Sequence, residues 1–267
     1  MSAPTDHSPT DAKIRRARAH VCELEDKAKS FLASGPFEVA RRVDPETHEA
    51  VYYAARVREV PLEIAVITAD VLRNLRASLD QLACALVIAG GNYPTRNTGF
   101  PVFASLGVYK DKAGEKVRGM GQSAIDLIDA MKPYRGGNDV LWRLDALSKI
   151  DKRRPLAIRG LTHRFQSVTP NVIAYLRKTW GARPGAWPAP EAAPESLIEH
   201  ERRHFPITSL DVIFLDTSGS NNQATFAFDL AIFEQTIGAG RLTLIETLKE
   251  MVSTVEGAAA ELEPCLT

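Results

Sequence analysis

The polar side chains best suited to chemistry lie in the middle of a stretch that is otherwise apolar. Residues 62–68 and 82–88 carry almost only apolar side chains, which predicts a helix that is buried on all sides. Unpaired buried charges are costly, so polar residues between these segments must face water, a binding partner or an enclosed polar site. The alternative is a solvated helix face with ordinary surface ion pairs. We call these residues the polar belt, and they are Asp70, Arg73, Asn74, Arg76, Ser78, Asp80 and Gln81.

A further carboxylate lies at the end of an apolar stripe on a later predicted helix. Leu144 and Leu147 belong to that stripe, and Asp151 continues it. Such a carboxylate usually has a cationic or backbone partner, and we expect Arg76 of the polar belt to be that partner. The alternative is a helix end in water, where the cations at 152–154 favour the C-terminal dipole. The candidate polar site therefore comprises Asp70, Asn74, Arg76, Asp80, Gln81, Asp151 and Lys152.

The segment from His200 to His204 matches the pattern His-Glu-x-x-His. On a helix, this pattern places two imidazoles on one face around zinc, and a glutamate such as Glu201 activates water for hydrolysis. Here two arginines separate the histidines and would oppose a metal ion, and Pro206 would end a helix at once. We therefore expect neither a metal site nor another cofactor, and we keep a zinc-dependent hydrolase as the alternative.

Composition and charge exclude several classes of protein. Hydrophobic residues make up 45% of the chain and charged residues 25%, as in folded globular proteins. The formal net charge is zero, so binding to nucleic acid would need a local basic patch. Cys22, Cys84 and Cys265 lack the spacing of zinc or redox motifs. Neither a signal peptide nor a membrane span is visible, so we expect a reduced, cytoplasmic protein.

The polar belt lies on the longest of several predicted helices. Apolar periodicity identifies these elements, and glycine and proline residues mark their predicted ends. Residues 1–8 are predicted to be a disordered tail, residues 92–107 an irregular surface segment, and residues 181–196 a proline-rich excursion. The predicted helices span residues 9–34, 61–89, 123–131, 139–152 and 241–262, with a short one at 171–180.

Alternating segments predict two β-hairpins. Residues 37–43 and 51–60 flank an Asp-Pro turn, and residues 209–216 and 224–233 flank the loop DTSGSNNQ. The order of these elements does not follow a βαβ pattern, which favours an α+β fold. We predict a single domain over residues 9–267. Its helical core consists of the N-terminal, long central and C-terminal helices, and an antiparallel sheet from the two hairpins flanks this core.

Two segments resemble a widespread family of uncharacterised bacterial proteins. ADVLRNLRASLDQLACAL is similar to the family pattern LHNLRSALDHLA, and LWRLDALSKIDKRRPL is similar to LWxLxxLxxIDKHR. The similarity extends over most of the chain, including the first hairpin and the closing helix. The chain has Gln81 and Arg153 where the two patterns have histidine. This resemblance implies membership of the family but no established activity.

The spacing between Arg76 and Gln81 also resembles the Arg-x4-His signature of HEPN ribonucleases, helical enzymes that cut RNA without metal. In that family the arginine steadies the phosphate and the histidine transfers protons. Gln81 cannot titrate, so this chain would need another group for acid–base catalysis. The resemblance therefore implies a binding protein or a degenerate enzyme.

Three functional hypotheses follow from the sequence. We prefer a binding protein, with weak catalysis or none, that uses the polar belt and has RNA as its candidate ligand. The second hypothesis is the zinc-dependent hydrolase centred on His200, Glu201 and His204. In the third, the protein is a homo-oligomer in which the polar belt is the interface between copies. None of the three involves a membrane.

Overall fold

The computed structural model describes residues 8–43, 50–167, 197–203, 212–216, 224–234 and 243–266. Helices form most of this part of the chain, and short antiparallel strands complete an α+β fold, as predicted. The helices are α1 (Pro9–Ala33), α2 (Leu62–Ala89), α3 (Leu106–Lys116), α4 (Gln122–Ala130), α5 (Asp139–Asp151) and α6 (Leu244–Leu262). The strands are β1 (Phe37–Val43), β2 (Ala50–Val57), β3 (Ile158–Ser167), β4 (Leu197–Arg203), β5 (Val212–Asp216) and β6 (Ala224–Ile232).

The first helix begins at Pro9, as predicted, and its N-cap residue lies inside the segment predicted to be a disordered tail. Ser8 is the N-cap of α1, and its hydroxyl oxygen accepts a hydrogen bond of 3.1 Å from the backbone N–H of Asp11. Pro9 occupies the first helical position, where its missing N–H is no loss. Ser8 therefore does not belong to a disordered tail, and residues 1–7 lie outside the described part.

The helical core predicted from α1, α2 and α6 is confirmed. The inner face of α2 is lined by Leu72, Leu75 and Leu79, which are almost fully buried, and it packs against α1, α5 and α6. α6 adds Leu248 and Met251 to the same cluster. Burial of this continuous apolar surface is the main term that stabilises the helices against the unfolded chain.

The strands form two three-stranded sheets rather than one. The orders are β1-β2-β5 and β4-β3-β6, and all pairings are antiparallel. The first predicted hairpin, β1–β2, is confirmed. The second is wrong, because β5 pairs with β2 while β6 pairs with β3. Alternation identifies a strand and its buried face, but it does not select the neighbouring strand.

The backbone of Gly160 in β3 lies close to the ring of Phe37 in β1, and this contact links the second sheet to the helical core. A Cβ atom placed on Gly160 of β3 would lie 2.5 Å from Cζ of Phe37. The ring of Phe37 in turn contacts Phe31 of α1 and Phe228 of β6, with ring centroids 6.0 and 5.1 Å apart. Only a residue without a side chain fits at Gly160, so the ring can pack directly on the strand.

Two elements, α3 and β4, were not predicted from the sequence. α3 begins at Leu106, inside the segment predicted to be irregular, and Ser105 caps it by accepting a bond of 3.4 Å from the N–H of Val108. β4 contains the first part of the His-Glu-x-x-His segment, where no strand was predicted. The predicted helix at 171–180 and the proline-rich excursion at 181–196 lie outside the described residues.

Candidate functional site

Arg76 is the centre of a buried ion-pair network between α2 and α5. Its Nε lies 3.1 Å from Oδ1 of Asp145 and donates a hydrogen bond to it. The side chain of Asp145 is 8% exposed and that of Arg76 is 17% exposed, so the pair lies largely out of water. A buried ion pair needs further hydrogen bonds to offset its desolvation, and both residues have them.

The guanidinium of Arg76 also holds the segment before α3. Its Nη2 donates to the carbonyl oxygen of Phe100 at 3.0 Å, and its Nη1 lies 3.0 Å from Oδ1 of Asp80. The same Asp80 oxygen accepts the backbone N–H of Phe100 at 3.1 Å. Nη1 is within ion-pair distance of Asp80 but lacks the geometry of a hydrogen bond. Arg76 and Asp80 together fix Phe100, which is fully buried in the core.

The second carboxylate oxygen of Asp145 faces a lysine of its own helix. Nζ of Lys149 lies 2.5 Å from Oδ2 of Asp145, one turn away on α5. Asp145 therefore has a cation at each oxygen. The sequence reasoning missed Asp145 as a site residue. A usable signal was present, because Asp145 follows Leu141 by four residues and so shares its buried face.

Asp151 does not pair with Arg76, contrary to the sequence expectation. Its Oδ2 lies 3.6 Å from Nη1 of Arg73, whose Nη2 bonds Oδ1 of Asp70 at 2.6 Å. Asp151 is six residues beyond Asp145, or about 9 Å farther along α5, and therefore lies beside an earlier turn of α2. The expected cation exists, but it is the half-exposed Arg73.

The remaining candidate residues do not join this network. Nδ2 of Asn74 donates to the carbonyl oxygen of Asp70 within α2 at 2.8 Å. Oε1 of Gln81 is buried and has no hydrogen-bond partner among the described residues. The side chain of Lys152 is exposed at the C-cap of α5. Ser78 is buried, and its hydroxyl donates to the carbonyl oxygen of Leu75.

The residues of the polar belt therefore lie in two environments on two sides of α2. One flank, with Arg76, is sealed against α5 and the Phe100 segment. The outer face, with Arg73 and part of Asp80, remains open to solvent. This outer face also carries Cys84, whose pKa is raised by burial and by the negative charge of Asp80. A raised pKa keeps the thiol protonated near neutral pH, so Cys84 is a poor nucleophile.

The His-Glu-x-x-His segment does not form the helix that a zinc site requires. Its first residues, His200 and Glu201, lie in β4, which pairs with β3, and His204 lies outside the described residues. The helical spacing that brings two imidazoles to one face is absent from residues 200–203. The helical arrangement behind the hydrolase hypothesis is therefore wrong. No cluster of three potential metal ligands occurs in the described parts of the chain.

A search of the described helices for a membrane span found none of sufficient length and apolarity. Comparisons of the chain with protein-family models, with curated proteins and with solved structures found no match.

Proposed function

We propose that this protein is a non-catalytic binding protein whose ligand contacts the open edge between α2 and α5, and that RNA is its ligand. The observation that carries the proposal is that one cation at this edge is buried and paired, whereas two others are exposed. Arg76 is committed to Asp145 and Phe100, whereas Lys152 and Arg153 project from the end of α5 into solvent.

The engagement of Arg76 argues for binding rather than catalysis. An arginine that steadies a reacting phosphate must offer its donors to that phosphate. Nε and Nη2 of Arg76 already donate to protein acceptors, and Nη1 faces Asp80 in a buried position. Gln81 has no titratable group, so it cannot transfer the proton that cleavage requires. These two features favour binding over RNA cleavage at this helix.

The exposed cations at the end of α5 are suited to phosphate contact. Lys152 and Arg153 follow one another at the C-terminal end of the helix, and neither side chain has a partner among the described residues. Arg73 lies next to them through its contact with Asp151. Cations that neutralise RNA phosphates release counterions, and this release drives binding independently of sequence.

Binding of a single-stranded RNA oligonucleotide at two salt concentrations tests the proposal. We expect weak binding that falls as salt rises, and no cleavage in the presence of a chelator. The double variant Lys152→Ala and Arg153→Ala should lose most of the binding. The matched control removes two exposed lysines of α3, Lys110 and Lys112, and should bind nearly as well as the unmodified protein.

Three results would contradict this function. Absence of RNA binding at low salt would remove RNA as the ligand. Equal losses in the α5 and α3 double variants would show that binding depends on overall charge rather than on the α2–α5 edge. Metal-independent cleavage by the unmodified chain would show that another group carries the proton.

A further inference from the structure

The outer face of α2 carries exposed aliphatic side chains as well as charges. Leu62, Val66 and Ile88 are 65%, 48% and 61% exposed. At about 100° per residue, Val66, Arg73, Ala77, Asp80 and Ile88 all fall within an arc of about 80°, and we call these five residues the outer stripe of α2. Leu62, Asp70 and Cys84 lie in the same arc, and Asp70 pairs with Arg73 within the helix.

We propose that the outer stripe binds a second copy of this chain, with the two α2 helices antiparallel across a two-fold axis near Ala77. This proposal rests on the exposed residues of α2 and does not depend on RNA binding. A two-fold interface must be complementary to itself, because each residue meets its counterpart on an identical surface. The order of charges and aliphatic residues along the stripe meets this requirement.

The charges of the stripe are arranged symmetrically about the proposed axis. Arg73 and Asp80 are seven residues apart, so each lies about 5 Å along the helix from their midpoint. An antiparallel copy centred there places Arg73 opposite Asp80 of the partner subunit, and this pairing occurs twice. Both side chains are about half exposed, at 52% for Arg73 and 45% for Asp80. A parallel arrangement would instead place each charge beside its own kind.

The aliphatic residues follow the same symmetry. Val66 and Ile88 lie about 16 and 17 Å from the midpoint, so an antiparallel copy brings Val66 opposite Ile88 of the partner subunit at each end. Ala77 lies beside the axis, where a small side chain permits close approach of the two helices. The exposed aliphatic side chains would thus be removed from water at both ends of a central pair of ion pairs.

Sedimentation equilibrium of the full chain over a range of concentrations tests the interface. We expect a reversible dimer. Val66→Lys or Ile88→Glu alone should weaken it about tenfold or more, because each places a charge against an aliphatic partner. In the variant with both changes, each introduced lysine faces an introduced glutamate, so the dimer should recover. The matched control is Leu106→Glu, which changes an exposed leucine of α3 and should leave dimerisation unaltered.

Each outcome decides for or against the pairing. A wild-type chain that stays monomeric at all concentrations overturns the dimer, and the proposed RNA binding would then stand or fall on its own titration. A dimer insensitive to Val66→Lys and Ile88→Glu forms through another surface. Weakened single variants without recovery in the double variant would overturn the antiparallel register. Circular dichroism of each variant confirms that the fold is retained.

Discussion

Nε of Arg76 donates to the carboxylate of Asp145 across a sequence separation of 69 residues. This contact, together with the pair Arg73–Asp151, joins the central helix to α5. Lys149 and the carbonyl oxygen of Phe100 complete the environment of the two buried charges. The polar residues of an otherwise apolar helix are thereby explained on one flank. They hold neighbouring segments in place rather than forming an open cavity.

Removal of Arg76 should destabilise the fold strongly. Arg76→Ala leaves the buried Asp145 with only Lys149, and loss of one partner of a buried pair costs about 3–5 kcal/mol. Arg56→Ala is the matched control, because Arg56 and its partner Glu38 are both more than half exposed and their ion pair is worth about 0.2–1 kcal/mol. Urea denaturation followed by circular dichroism measures both. Similar losses in the two variants would contradict the structural role assigned to Arg76.

Gly160 should not tolerate even a methyl group. Gly160→Ala places a Cβ against the ring of Phe37, and we expect a loss of about 1–3 kcal/mol in the free energy of unfolding. Gly114 of α3 has nothing within 4 Å of such an atom, so Gly114→Ala should be neutral or stabilising by up to about 1 kcal/mol. Thermal unfolding of the two variants compares them directly. Equal stability would show that the ring moves aside.

Gln81 should be replaceable without loss of stability. Its Oε1 is buried and has no partner, so Gln81→Met removes an unsatisfied acceptor whose burial costs about 1–3 kcal/mol. We expect this variant to be at least as stable as the unmodified chain in urea denaturation. A clear loss would reveal a hydrogen bond of Gln81 with a partner outside the described residues. Gln81→His should not create an RNA-cleaving enzyme, because Arg76 remains committed to Asp145.

The cysteines should differ in their reactivity towards iodoacetamide. The pKa of Cys84 is raised, chiefly by burial and also by Asp80, so its thiolate fraction near pH 8 is small. Cys22 is exposed on α1 and should be alkylated faster. Peptide mass spectrometry over time gives the two rates, and the rate at Cys84 should rise as pH increases towards its raised pKa. Faster alkylation of Cys84 than of Cys22 near pH 8 would contradict this assignment.

The sequence predicted the features that depend on neighbouring residues. The apolar periodicity of α2 and the alternation of β1 and β2 are local signals, and the helix and the strand pairing were predicted correctly. The pairing of β5 with β2 and of β6 with β3 depends on distant segments, and alternation carries no information about it. The placement of His200 in a strand shows the same limit, since a five-residue motif does not determine its own secondary structure.

For the candidate site, the sequence identified the helix but not the partner. A polar belt on a buried helix predicted a polar neighbour, and a carboxylate of α5 was the right type of group. The choice between Asp145 and Asp151 depends on how far α5 is shifted along α2, and this shift arises from core packing. The asymmetry of the belt, with one sealed flank and one open face, likewise appears only when the helices are packed together.

The contact of Arg76 with the Phe100 segment has a consequence for local opening of the fold. The backbone N–H of Phe100 donates to Asp80, and its carbonyl oxygen accepts from Arg76, so both groups depend on α2. This connection between helices cannot fray separately, because its departure would expose a buried guanidinium and a buried aromatic ring together. Amide hydrogen exchange at Phe100 is thus linked to the unfolding of the central helix, although the residue belongs to a loop.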